Sequence, residues 1–209
     1  MEHYKISNKG TTALFNNRFF ESLTRTHFMV PIALYTISAI VIVNYTFYIN
    51  MAAPWQMFYL IPLGIFSFSL VEYALHRFAF HFEAKTEKQQ QVKYKIHGVH
   101  HEYPRDKDRL AMPPVISICI ALVFYGIFKL LLGDLVLYFF PGFLLGYCIY
   151  LFIHYSVHRF APPRNFLKIL WTHHALHHYK DENSYFGVSL PLWDYVFGTL
   201  PESKQQKAS

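Results

Sequence analysis

Charge is what this sequence is short of. Only 15% of its 209 residues are Asp, Glu, Lys or Arg, whereas 53% are hydrophobic and 19% aromatic. Soluble domains are roughly a quarter charged, so a lipid-embedded chain is the first class to test. Cysteine is scarce as well. Cys119 and Cys148 sit inside separate apolar runs, which excludes a disulfide scaffold and any zinc-finger or thioredoxin-type spacing. They read as small buried hydrophobes. No cleavable signal pattern precedes the first apolar run. The net charge is +6, but the basic residues form no dense stripe, which argues against a nucleic-acid partner. The length suits one domain.

What is abundant is apolar run length. Residues 28–48 carry no charge, and about 20 such residues span a bilayer core. Further runs occupy 55–75, 113–132 and 135–153, interrupted only by Glu72 and Lys129. The expectation is an all-α integral membrane protein with four transmembrane helices. Pro31 falls in a first turn, where proline is tolerated, and Pro62 and Pro141-Gly142 mark expected kinks. A turn is expected at Asn50–Pro54. Residues 1–27 form an N-terminal segment in which Phe15, Phe19, Phe20 and Leu23 fall at helical spacing, predicting an interfacial helix. Residues 28–200 make the main domain, and 201–209 a disordered tail. Four spans put both termini on one side. The basic residues crowd into the N-terminal segment, the 82–112 interlude and the C-terminal segment, so those three segments are expected in the cytoplasm.

Ten of the thirteen histidines fall in four clusters: His76 and His81; His97, His100 and His101; His154 and His158; His174, His177 and His178. His154 and His158, four apart on a helix, leave the same face and can meet one ion. Each triplet, spaced i, i+3, i+4, can serve two neighbouring ions. His76 and His81 are five apart, about 140° round an ideal α-helix, which suits two ions, or a helix ending between them, better than one. Interfacial anchoring explains a lone histidine but not four spaced clusters. Ten imidazoles offer five ligands to each of two metals. Imidazole suits zinc, copper, iron and nickel alike. The absence of a nearby cysteine argues for a reactive centre over a structural zinc site, and iron is the natural choice for oxygen activation. His3 and His27 lack such company, and His173 reads as a supporting residue. A metal transporter or sensor is the non-enzyme alternative, disfavoured because the span centres are almost uncharged.

The order of boxes, HxxxxH, HxxHH, HxxxH and HxxHH, resembles the membrane fatty acid hydroxylase superfamily, which includes sterol desaturases. The stretches His97–Pro114 and His177–Thr199 are similar to fatty acid 2-hydroxylases. The resemblance implies four membrane helices capped by a cytosolic helical domain that holds a dimetal histidine site. It also implies hydroxylation at carbon 2 of a long fatty acyl chain, free or in sphingolipid, by a non-haem diiron monooxygenase. By motif, one ion would take His76, His97, His100, His174 and His177, and the other His81, His101, His154, His158 and His178. Zinc occupies these places in some preparations of the family, although the chemistry calls for iron. Tyr150 matches a position near the substrate path. No haem-binding His-Pro-Gly-Gly motif occurs, so the expected electron source is a separate donor of cytochrome b5 or ferredoxin type. The implied partners are a membrane lipid substrate and O2. A sterol-type oxidase or carotenoid hydroxylase would share the chemistry, but Trp193–Thr199 favours the acyl or sterol branch.

Overall fold

Every regular element among the described residues, 5–49 and 54–201 of the computed structural model, is helical. Residues 50–53 of the turn expected at Asn50–Pro54, and residues 202–209 of the tail expected at 201–209, lie outside them. In chain order the α-helices are α1 (Arg18–Ser22), α2 (Met29–Tyr48), α3 (Pro54–Ala74), α4 (Glu87–Lys93), α5 (Val99–Glu102), α6 (Pro114–Leu132), α7 (Val136–Arg159), α8 (Lys168–Tyr179) and α9 (Leu192–Val196). Two π-helical turns, Leu75–Phe80 and Tyr94–Gly98, lead into histidine boxes.

Among the described residues three stretches are long and apolar enough to cross a membrane: Met29–Tyr48, Trp55–Phe80 and Lys107–Arg159. The third contains both α6 and α7, joined by a 3-10 turn at Gly133–Leu135. Gly133 takes φ +57° there, a conformation that glycine adopts without steric penalty. Large apolar side chains face outward along these stretches: Phe58 is 85% exposed and Leu130 89%. In water such surface would drive aggregation, whereas lipid covers it without cost. The chain is an integral membrane protein.

α7 is the axis on which the others pack. It is buried along nearly its whole first half, from Val136 to Cys148, as expected of a helix that is apolar all round. α2 presents Pro31, Tyr35 and Ala39 as one stripe at i, i+4, i+8. α3 meets α7 through glycine. A Cβ on Gly142 would strike the Ile61 carbonyl, and one on Gly64 the Phe139 carbonyl. Small residues permit this close approach where no hydrophobic force drives helices together. Phe68, Phe124, Phe128, Phe139 and Phe143 then fill the seam with ring contacts. Pro62 and Pro141 lie within continuous helices.

The N-terminal helix is shorter than its aromatic spacing predicts. It is confined to Arg18–Ser22, capped by the Asn17 side chain. The segment around it is pinned to the interlude. Arg109, buried, donates to Glu21 Oε1 at 2.6 Å, the Thr12 carbonyl at 2.7 Å and Thr24 Oγ1 at 3.0 Å. Pinning of this kind competes with regular helix, because Glu21 is turned to Arg109, Arg25 and the Leu14 amide.

Candidate metal centre

The ten box histidines converge on one region in two sets of five. One set is His76, His81, His97, His101 and His177; the other is His100, His154, His158, His174 and His178. Within each set one nitrogen per ring lies within 4.8 Å of all the others. This differs from the division that the motif resemblance implied. That division separates His97 from His101 and His174 from His178, yet each pair is i, i+4 on a helix. The structure keeps every such pair, His154 and His158 included, in one set, because residues four apart share a face. The i+3 member of each triplet, His100 or His177, goes to the neighbouring set.

His76 and His81 also share a set, against the expectation from α-helical spacing. The chain leaves α3 through the π turn Leu75–Phe80, and the His81 amide donates to the His76 carbonyl at 3.1 Å. An i→i+5 bond stacks residue five above the first, so both rings face one way. The second π turn, Tyr94–Gly98, sets His97 in line before α5 carries His100 and His101.

Paired Nε2 atoms are close. His76 and His97 are 3.2 Å apart, His81 and His177 3.1 Å, His100 and His154 3.0 Å, His158 and His174 2.7 Å, and His174 and His178 3.1 Å. Two nitrogens bound at right angles to one ion at about 2.1 Å would be about 3.0 Å apart. The donor set therefore fits a metal ion in each group. Ring orientation supports the same reading. His76 Nδ1–H donates to the Phe186 carbonyl at 2.6 Å, His177 to the Ser184 carbonyl at 2.7 Å and His154 to the Leu110 carbonyl at 3.1 Å. With Nδ1 carrying the proton, Nε2 is left as the free lone pair. Burial pushes His97, His100, His174, His177 and His178 well below the usual imidazole range, and holds His101 at about 3. Neutral imidazole is the form that binds metal.

Two carboxylates hold the segment that supplies two of these carbonyls, those of Ser184 and Phe186. Glu72 accepts the amides of Val188 at 2.7 Å and Ser189 at 3.1 Å, as well as the Ser189 hydroxyl. Asp194, fully buried, accepts the amides of Phe186 and Gly187, both at 2.8 Å, and the Thr199 hydroxyl at 2.6 Å. Between the two accepting carbonyls, of Ser184 and Phe186, Tyr185 takes φ +60°, a left-handed conformation uncommon for a bulky residue. In the sequence Glu72 stands out only as a charge interrupting an apolar run, and Asp194 only as part of the His177–Thr199 flank. A carboxylate inside an apolar run is the signal that marks Glu72. Of the other nearby acids, Glu102 accepts the Tyr94 hydroxyl at 2.5 Å. His173 is buried against Tyr185, with ring centroids 5.3 Å apart, and belongs to neither set.

A cavity of about 700 Å³ opens onto the histidines. Its walls are α3, α6 and α7, and the N-terminal segment adds Leu14, Phe15, Phe20 and Leu23. It reaches His76 and His97 of one set and His100 and His154 of the other. Tyr150 lines it, with its ring stacked 5.4 Å from His154.

Comparison with known proteins agrees with this architecture. The family model for "Fatty acid hydroxylase" matches residues 61–199. The chain is 32% identical over 97% of its length to a dihydroceramide fatty acyl 2-hydroxylase of Arabidopsis thaliana, covering 85% of that protein. It is 37% identical over 94% of its length to a ceramide very long chain fatty acid hydroxylase of Schizosaccharomyces pombe, covering 56% of it. Against the human fatty acid 2-hydroxylase the identity is 39% over 77% of the chain, and 45% of that protein is covered. The chain thus spans about half the length of the yeast and human relatives. A solved structure of full-length scs7p, in which only the hydroxylase domain is visible, superposes with a TM-score of 0.82 at 35% identity, covering 93% of this chain and 74% of that one.

Proposed function

The chain belongs to the fatty acid hydroxylase family, and on that premise we propose that it hydroxylates carbon 2 of long-chain fatty acyl groups, free or in sphingolipid, at a centre of two iron ions. The observation that carries this reading is the cavity, an apolar space ending on nitrogen donors of both histidine sets. Only a long apolar substrate gains from such a lining, and only a reactive centre needs one.

In this reading His76, His81, His97, His101 and His177 hold one ion, and His100, His154, His158, His174 and His178 the other. Iron, when bound, supplies oxygen activation by electrons from a separate donor of cytochrome b5 or ferredoxin type. The chain's own residues do the rest. The carbonyls of Phe186, Ser184 and Leu110 fix three rings in the tautomer that presents Nε2. Glu72 and Asp194 fix one of those carbonyls, that of Phe186, by holding the 186–189 backbone. The cavity walls exclude water and line the chain up so that one carbon faces the histidines. Tyr150, stacked beside His154, packs against the chain near that carbon. No side-chain acid or base is assigned, because a hydrogen is removed from an apolar carbon.

The membrane reading completes the proposal. In it α2, α3, α6 and α7 each span the bilayer, so that both termini share one side, and the basic residues crowded into the segments on that side favour the cytoplasm for it and for all ten histidines. The test is direct. Purified chain is loaded with iron(II) and given a reduced donor, a long-chain acyl substrate and isotope-labelled oxygen gas. Label is expected in a 2-hydroxy product. Oxygen consumption without that product, or product formation by apoprotein, contradicts the reading.

A further inference from the structure

The cavity has one polar end and one closed apolar end, and the closed end has a defined position. One face of α7 lines it from His154 down to Phe143. The eleven steps from Phe143 to His154 rise about 16 Å. At the far end the Phe143 ring stands 5.2 Å from Phe68 and 5.4 Å from Phe124, so one ring from each of three helices meets there. Phe128 packs on Phe139 and Phe143 at 4.7 and 5.0 Å, and the α3 and α7 backbones touch at Ile61 and Gly142. The other end, beside the N-terminal segment, carries Thr24, Lys95 and Arg109.

We propose that Phe68, Phe124 and Phe143 form a chain-length gauge: they stop the methyl end of an acyl chain whose second carbon lies at the histidines. This rests on the acyl-hydroxylase reading above. Polarity sets the direction. The carboxyl-derived head belongs at the end with Lys95, which is exposed, where it keeps contact with water and the Lys95 ammonium. The tail belongs among the phenylalanines. Carbon–carbon bonds of about 1.5 Å, laid in a zigzag along roughly 16 Å, give room for about a dozen carbons beyond the reacting one. A longer chain must bend out at the side near Ile116, which lines the cavity and is 52% exposed. Such a chain forfeits wall contacts, so turnover falls with length past the gauge.

Two substitutions move the stop in opposite directions. Phe124→Ala removes one ring of the stop. Ala121→Leu, one turn nearer the histidines on α6, fills the lumen before it. Each variant is expressed in membranes of a host without 2-hydroxylase and supplied with an equimolar mixture of saturated acyl chains of graded length. The 2-hydroxy products are then resolved by mass spectrometry. F124A is expected to raise the ratio of longer to shorter products at least ~3-fold, and A121L to lower it at least ~3-fold, the effect of about one turn of helix rise on usable length. If one variant fails to accumulate, the other decides. An unchanged product distribution in an accumulated, metal-loaded variant overturns the gauge and leaves the hydroxylase reading standing. Loss of all chain lengths alike also overturns it. Absence of any 2-hydroxy product from the wild type overturns the hydroxylase reading itself.

Discussion

The Glu72 carboxylate accepts the backbone amide of Val188 at 2.7 Å across 116 residues of sequence. This contact ties the lipid-facing helix α3 to the loop whose carbonyls orient two of the metal-site histidines. Removing the carboxylate leaves the buried Val188 and half-buried Ser189 amides without acceptors, at about 1–3 kcal/mol each. Glu72→Ala is therefore expected to lower metal affinity by about 10- to 100-fold, as losses of ligand-orienting partners commonly do. Glu72→Gln, which keeps one acceptor oxygen, should lose less. Metal titration of the two variants checks this; wild-type affinity in Glu72→Ala would remove the anchoring role.

The grouping of the histidines predicts stoichiometry. His101→Ala should weaken one ion and spare the other, and His174→Ala the reverse, so each purified variant should retain about one equivalent of metal where the wild type holds about two, given five ligands at each site. Combining them should empty both sites. X-ray absorption at the retained ion should show an unchanged nitrogen shell. Under the motif-derived division, His97 and His101 would serve different ions. The variants His97→Ala and His101→Ala distinguish the two schemes, since the geometry here predicts that they lose the same ion.

Gly142 admits no side chain. A Cβ there would overlap the Ile61 carbonyl, and backbone cannot step aside as a flexible side chain can. Overpacking usually costs about 1–3 kcal/mol, and here it falls on the contact that seats α3 on α7. Gly142→Val should sharply reduce detergent-extractable, monodisperse protein. Gly126→Val is the control, because a Cβ at Gly126 meets nothing within 4 Å. Equal yields of the two would refute the packing account.

The N-terminal latch carries a pH dependence. Burial alone would raise the pKa of Glu21, but the Leu14 and Phe15 amides, Arg25 and the Arg109 charge together bring it below its ordinary value of 4.5. A folded-state pKa lower than the unfolded one gives stabilisation that is complete above 4.5 and is lost as pH falls through the folded value. Amide exchange over residues 14–25, corrected for intrinsic rates, should quicken in acid below 4.5. Glu21→Gln should show faster exchange already at neutral pH and lose the acid dependence. An unaltered acid response in Glu21→Gln would assign the latch to another group.

How much of this was readable in the sequence follows from how local each signal is. Run length and charge scarcity mark the helices α2, α3, α6 and α7 to within a residue or two at most ends, because each is an apolar run legible on its own. The ten histidines stand out for the same reason: their spacings are short. What escapes is anything set by backbone irregularity or distant contact. The π turn that aligns His76 with His81 leaves no periodic trace, so α-helical arithmetic put them on different faces. Asp194 lies in a flank whose residues suggest a family but not a hydrogen bond to the Phe186 amide. Phe15 and Phe20 read as one face of a helix; α1 keeps only Phe20, and both rings also help wall the cavity, because Arg109, almost ninety residues on in sequence, holds Glu21 and Thr24 in place.

The central claim, that an acyl chain is hydroxylated at carbon 2 by a centre built from both histidine sets, meets its most direct test in the lipids of a host lacking such an enzyme. Membranes carrying the wild-type chain are expected to accumulate 2-hydroxy acyl groups, seen by mass spectrometry of hydrolysed lipids. Membranes carrying equal amounts of His100→Ala or His178→Ala, still inserted, are expected to contain none above background. Two-hydroxy acyl groups at wild-type levels in either variant, or their absence from the wild type under iron-replete growth, would contradict the account.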